Sequence, residues 1–127
     1  MKDKLLIPLL LILSITANAQ SADSAYIKFE KNKHDFGDII QGTRVENVFS
    51  FINAGKIPLL ISNVITTCGC TAPTWPHEAV PPKGKGEIKI TFDSRGKMGM
   101  QNKVITIMSN ASGSPHRITI TANVIPK

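Results

Sequence analysis

Near its carboxyl end the chain reads Arg117-Ile118-Thr119-Ile120-Thr121-Ala122-Asn123-Val124. Apolar and polar side chains alternate along this stretch, so an extended strand would bury one face and expose the other to water. Residues 87–93 alternate in the same way, with isoleucine, isoleucine and phenylalanine on one face. The many β-branched side chains in both stretches favour strands over helices. Each stretch therefore predicts a β-strand with one face in a core.

Three further segments carry strand signals, namely residues 45–52, 59–65 and 103–108. The first two have apolar residues on both faces, which predicts central strands covered on each side. Turn-forming sequences separate the strand signals, at Gly42-Thr43, Asn53-Ala54-Gly55-Lys56, Pro81-Pro82-Lys83-Gly84, Ser94-Arg95-Gly96 and Asn110-Ala111-Ser112-Gly113. The pattern predicts an all-β protein with about six or seven short strands, a sandwich or a barrel, and it argues against a parallel α/β sheet. Of these we expect an antiparallel β-sandwich of about seven strands. The proline-rich residues 70–85 show no strand pattern and are expected to form an irregular crossover.

The N-terminus has the pattern of a secretory signal peptide. Two lysines precede a mainly apolar run at residues 5–15, and Ala17-Asn18-Ala19 supplies the small residues that a signal peptidase reads. At 1.5 Å per residue the apolar run covers only about half of a ~30 Å hydrocarbon core. We therefore predict a signal peptide at residues 1–19, a single domain at residues 20–127 with no transmembrane segment, and a periplasmic or extracellular location.

Composition weakens a role in nucleic-acid binding. The chain of 127 residues has a formal net charge of +6, but its basic residues are scattered, and it has one Trp and one Tyr for stacking on bases. We therefore expect no nucleic-acid partner. The basic balance is better explained as a solvated surface that favours solubility.

A set of short motifs resembles one known family. The motifs are His34-Asp35-Phe36-Gly37, Gln41-Gly42, Phe49-x-Phe51-x-Asn53-x-Gly55, Thr67-Cys68-Gly69-Cys70-Thr71, Pro82-Lys83-Gly84 and Gly96-Lys97-x-Gly99. Together they resemble the exported bacterial family catalogued as domain of unknown function 1573. The resemblance covers about residues 29–124 and implies an immunoglobulin-like β-sandwich akin to sperm-protein and pilus-chaperone domains. It implies no established activity.

Cys68-Gly69-Cys70 is the one motif where chemistry is plausible, and three interpretations are open. The thiols can be small buried groups or a fixed element at a strand end. They can form a disulfide across one glycine, because an oxidising compartment and an even cysteine count favour pairing. A bridge over so small a loop adds little stability and would suit redox exchange better than stapling.

The third interpretation is a soft-metal site. Cys68 and Cys70 would supply thiolates, with His77, Met98 and Met100 as further ligands, and such a set suits Cu(I). The spacing is not that of a structural zinc site, which has four Cys or His ligands in two close pairs. No cofactor is expected from the sequence as a whole, with copper as the alternative.

Enzyme signatures are weak throughout the sequence. His34, His77 and His116 are isolated, and no serine lies in a nucleophile elbow. We therefore predict an exported, non-catalytic binding or assembly module whose partner is another cell-envelope protein, with Trp75 as a candidate anchor. The alternative is a thiol-dependent redox or copper-binding protein that uses Cys68 and Cys70.

Overall fold

The structure is a computed structural model that describes residues 23–127. The signal peptide predicted at residues 1–19 lies outside the described residues. The described part contains eight strands and no helix: β1 (Ile27–Phe29), β2 (Lys33–Ile40), β3 (Arg44–Asn53), β4 (Ile61–Thr66), β5 (Thr71–Thr74), β6 (Lys85–Asp93), β7 (Gly99–Ser109) and β8 (His116–Ile125). The all-β prediction is confirmed, with one strand more than expected. Within residues 23–127 no helix could cross a membrane.

The strands form two four-stranded sheets. The first sheet has the order β1-β3-β6-β5, and the second has the order β2-β8-β7-β4. All pairings are antiparallel except one, because β2 runs parallel to β8. The prediction of an antiparallel sandwich is therefore wrong for this pair. The chain passes from the first sheet into the second between β1 and β2, and this passage sets the direction of β2.

The core lies between the two sheets and is built from the alternating positions that the sequence indicates. Ile88, Ile90 and Phe92 of β6 are at most 1% exposed, and Ile118 and Ile120 of β8 are at most 2% exposed. Their polar neighbours along each strand point outward. The hydrophobic effect favours this arrangement at roughly 25 cal/mol for each Å² of apolar surface removed from water.

Two segments differ from the sequence-based prediction. Residues 71–74 form the short strand β5, although they lie in the segment expected to be irregular. Pro73 is compatible with a strand here because β5 is at the edge of its sheet, where a missing N–H breaks no ladder. The sequence Asp35-Phe36-Gly37 predicts a turn that leads into a strand, but Asp35 and Gly37 lie inside β2, at a register shift. Gly37 has φ +71°, and its N–H donates to Asp35 Oδ1 at 2.9 Å.

Candidate functional site

The two cysteines form a disulfide at a corner of the sandwich. The bridge joins Cys68 to Cys70 with Cα atoms 5.1 Å apart, within the usual range for disulfides. It lies in the connection between β4 of the second sheet and β5 of the first, where the chain changes sheets. Of the three interpretations of this motif, the structure selects the disulfide. We refer to residues 67–71 below as the disulfide corner.

Hydrogen bonds hold the backbone of the disulfide corner. The N–H of Thr71 donates to the carbonyl oxygen of Cys68 at 3.1 Å, and the N–H of Asp93 donates to that of Cys70 at 2.8 Å. The hydroxyl of Thr66 reaches the carbonyl oxygens of Cys68 and Thr71 at 3.4 and 3.3 Å. The corner is therefore fixed by contacts that do not involve the S–S bond.

The bridge contributes little to stability through chain entropy. A closed loop of about three residues raises the free energy of the unfolded state by only about 1.6 kcal/mol in the chain-entropy model, against about 3 kcal/mol for a 15-residue loop. The disulfide corner is also fixed by hydrogen bonds. Stabilisation of the fold by the bridge therefore does not by itself explain why two cysteines occur at this position.

The remaining candidate metal ligands lie outside the disulfide corner, in the segment after β5 and around the start of β7. His77 follows β5, and its ring lies 5.0 Å from the ring of Trp75. Met98 and Met100 are 52% and 72% exposed at the start of β7. No group of three or more His, Cys, Asp or Glu side chains within residues 23–127 could hold a metal ion. In the bridged state neither cysteine is a thiolate, so copper binding stays a hypothesis about the reduced protein.

Trp75 lies directly after β5 and is half-buried. Its ring packs against the core cluster, and its Nε1 is enclosed without a hydrogen-bond partner. Only part of the ring is therefore available to a partner, and the role of Trp75 as an anchor stays a prediction.

One ion-pair group lies beside the disulfide corner. Asp93 at the end of β6 accepts hydrogen bonds from the side chain and backbone N–H of Arg95, and its Oδ2 also lies 3.4 Å from Arg44. The hydrogen bonds from Arg95 are the main cause that lowers the pKa of Asp93 to about 2. A carboxyl group with so low a pKa is a poor proton donor near neutral pH.

The free edge of β4 is a second candidate site. Sheet edges present unpaired backbone groups, and proteins usually protect them with charges, prolines, bulges or short strands. Among the four edge strands, β1 has only three residues, β5 contains Pro73, and β2 carries Lys33, Asp35 and Asp38. β4 reads Ile-Ser-Asn-Val-Ile-Thr, without charge or proline. Its one protective feature is a register shift between Ile61 and Asn63.

One backbone N–H of β4 makes a local hydrogen bond to a side chain of the same strand. The N–H of Val64 donates to the side-chain Oδ1 of Asn63 at 2.9 Å. The N–H of Val64 is thus bonded to the side chain of its own neighbour in the chain and not to another strand. The edge position of β4 leaves a side of the strand without a neighbouring strand, and an added strand could pair there.

An apolar strip lies next to this edge on the outer face of the second sheet. Ile65 on β4 is 45% exposed and pairs with Thr106 of β7, and Val104 on the same face of β7 is 40% exposed. Met100 continues this face of β7. We call Ile65, Val104 and Met100 the β4–β7 strip.

The β2–β8 half of the same face is mainly polar, although Ile40 on β2 is 52% exposed. On β2 and β8, Thr121 donates to Asp35 and Asn123 donates to Asp38, each at 3.0 Å. The β4–β7 strip and the polar half therefore differ in character although they belong to one sheet. Exposed apolar side chains grouped on one part of a sheet face are candidates for an interaction site.

Comparison with known sequences identifies the family. A family profile described as "Protein of unknown function (DUF1573)" matches residues 27–124. The chain belongs to the DUF1573 family. The resemblance of the motifs is thereby confirmed. No curated protein sequence matches this DUF1573 chain.

Solved structures share the fold of the DUF1573 chain. A protein of unknown function from Porphyromonas gingivalis W83 has a TM-score of 0.71 at 18% identity, covering 86% of this chain and 51% of its own. PapD-like domain 7 of human CEP192 has a TM-score of 0.69 at 11% identity, covering 100% and 98%. The YadV chaperone has a TM-score of 0.58 at 15% identity, covering 77% and 51%. The DUF1573 chain thus spans about half the Porphyromonas protein. These likenesses show the fold alone.

Sequence reasoning placed the disulfide corner but missed the β4 edge. Residues 59–65 were predicted to form a central strand because apolar residues occur on both faces. The structure contradicts this interpretation, since β4 is at an edge and Ile65 is exposed. An uncharged strand with apolar residues on both faces is compatible with an interior strand and with an edge strand that a partner covers, so this sequence alone does not locate the edge.

Proposed function

We propose that this DUF1573 chain is an exported, non-catalytic binding module that takes up an extended segment of another cell-envelope protein at the free edge of β4. The observation that carries the proposal is the edge itself. β4 has six residues without charge or proline, and it adjoins the exposed apolar β4–β7 strip.

The physical route is strand addition. A segment that pairs with β4 gains backbone hydrogen bonds, which supply affinity with little dependence on sequence. Its alternate side chains would lie on the outer face beside Ile65 and Val104, where apolar residues would be favoured. The preferred partner segment is therefore extended, with apolar residues at every second position.

Two observations support the remaining parts of the proposal. The predicted signal peptide at residues 1–19 supports export. The weak enzyme signatures of the sequence and the low pKa of Asp93 support a role without catalysis, because a carboxyl group with so low a pKa is a poor proton donor near neutral pH. The sandwiches to which the chain is similar include a chaperone, which supports an interaction role by analogy of fold only.

A matched pair of substitutions tests the proposal. Ile65→Lys places a charge on the β4 edge, within the β4–β7 strip, and Val48→Lys places the same charge on the outer face of the other sheet. The two residues are equally exposed, at 45% and 44%. Both variants should lose about 1 kcal/mol or less of stability, since each site is on the surface. The measurement is chemical cross-linking of the tagged chain in intact cells, with adducts identified by mass spectrometry.

The proposal predicts one discrete adduct for the wild type and for Val48→Lys, and its loss for Ile65→Lys. A charge on an edge strand opposes pairing with an incoming strand, whereas a charge on the distant face does not. Equal adduct yields for the two variants, or no adduct with the wild type, would contradict a docking role for β4.

A further inference from the structure

The segment that carries the Cys68–Cys70 bridge is partly exposed to solvent. Both cysteines are half-buried, whereas Gly69 between them is exposed. Apart from its two neighbours in the chain, no atom lies within 4 Å of the position that a side chain at Gly69 would take. Exchange needs a thiolate to reach a disulfide sulfur, and exposed bridges are the labile ones.

The hydrogen bonds that fix the corner do not involve the bridge. The carbonyl oxygens of Cys68 and Cys70 accept from the backbone N–H groups of Thr71 and Asp93, so we expect the corner to persist when the bridge opens. A bridge that can open without unfolding its surroundings can cycle between its oxidised and reduced states within the folded protein.

Each sulfur has a hydrogen-bond donor beside it. The N–H of Cys70 points to Cys68 Sγ at 3.2 Å, and the hydroxyl of Thr71 lies 3.7 Å from Cys70 Sγ. A donor beside a sulfur stabilises its thiolate more than its disulfide form. Stabilisation of the reduced form makes a disulfide a stronger oxidant.

We propose that Cys68–Cys70 is a thiol–disulfide exchange site that oxidises the dithiol of a second protein. This role is independent of docking at β4. Cys70 packs against the core cluster, whereas Cys68 does not. The first attack therefore falls on Cys68 Sγ, and Cys70 leaves next to the hydroxyl of Thr71.

The exchange proceeds in two balanced steps. A thiolate of the partner bonds to Cys68 Sγ while the Cys68–Cys70 bond breaks and Cys70 departs as a thiolate. The second thiolate of the partner then attacks the partner sulfur in this mixed disulfide and releases Cys68. Two electrons pass from the partner to the chain. The partner ends as a disulfide, and both cysteines end as thiols that carry the two protons lost by the partner.

The test uses a synthetic peptide with a Cys-x-x-Cys dithiol under anaerobic conditions. The oxidised, folded protein is mixed with the peptide, quenched with acid, alkylated and weighed by mass spectrometry. We expect one peptide disulfide for each protein that becomes reduced, with the far-ultraviolet circular dichroism of the protein unchanged. A bridge that stays oxidised until urea unfolds the protein would overturn the proposal, as would reduction accompanied by loss of the β-sheet signal.

Thr71→Val tests whether the hydroxyl of Thr71 speeds the exchange or whether exposure of the bridge alone explains its reduction. Valine has a similar shape but lacks the hydroxyl beside Cys70 Sγ, while the backbone bond to Cys68 remains. We expect oxidation of the peptide to slow by about threefold or more with the melting temperature nearly unchanged. Ser62→Ala is the control, because its hydroxyl bonds the carbonyl oxygen of Met108 away from the bridge. An equal rate for Thr71→Val and wild type would overturn the assignment of Cys70 as the leaving group and of Thr71 as its donor.

Discussion

Asn53 shows how one buried polar residue joins several parts of this fold. It is 0% exposed at the end of β3. Its Nδ2 donates to the carbonyl oxygens of Ile57 and Val80, at 2.8 and 3.0 Å. Its Oδ1 accepts from the backbone N–H groups of Tyr26 and Gly55, at 3.2 and 2.9 Å. The side chain thus satisfies four backbone groups that come from three separate connections.

We expect Asn53→Ala to destabilise the protein by about 2–4 kcal/mol, because removal of the side chain leaves buried backbone groups without partners. Urea unfolding followed by circular dichroism measures the change. Asn47→Ala on the same strand is the control. Its one side-chain bond is exposed and 3.4 Å long, so the loss should be about 0.5 kcal/mol or less. A similar decrease in the free energy of unfolding for the two variants would contradict a stabilising role of the Asn53 hydrogen bonds.

At the residue scale, the sequence located the Cys-Gly-Cys motif but did not decide whether its cysteines are free, bridged or metal-bound. The spacing of Cys68 and Cys70 is compatible with free thiols, a bridge or a metal site, because the separation of two residues in sequence leaves their distance in space open. The choice depends on how the backbone turns at Gly69, and this turn is set by the connection between two different sheets. His77, Met98 and Met100 could not be placed relative to the cysteines for the same reason.

At the scale of strands, β3 and β6 meet closely at one glycine. Gly86 pairs with Phe51 in the antiparallel register, and the Phe51 ring lies over it. A Cβ at Gly86 would overlap the Phe51 ring, including Cε2 at 2.9 Å. Phe51 is only 2% exposed and contacts Phe29 edge-on with ring centroids 5.7 Å apart, so the ring has little room to move.

We therefore expect Gly86→Ala to cost about 1–3 kcal/mol through overpacking. Gly69→Ala makes the same chemical change in open space and should shift stability by about 0.5 kcal/mol or less. Thermal unfolding of the two variants measures both effects. Equal melting temperatures would show that the Phe51 ring adapts to the added methyl group.

The strands that were predicted well are those with strict alternation. β6 and β8 have one buried and one wet face, so their sequences carry a period of two. β5 could not be predicted, because it has only four residues and includes Pro73. β2 lacks a clean pattern since the bulge at Gly37 changes which side chains face inward.

At the scale of the whole molecule, the strand order determines which surfaces are free. The sequence predicted a sandwich but not its edges, since the order β2-β8-β7-β4 depends on long-range pairing. Alternation within a strand says which face is buried and nothing about the neighbours on either side. The exposed β4 edge therefore emerges only when the sheets are assembled.

The most direct test of docking at β4 is a photo-crosslinking amino acid introduced singly on each edge strand in intact cells. The positions are Lys28 on β1, Asp38 on β2, Ile65 on β4 and Ala72 on β5, all exposed. We predict a discrete adduct with another cell-envelope protein from position 65 and none from the other three. An adduct from another edge with none from position 65, or no adduct from any position, would contradict the account.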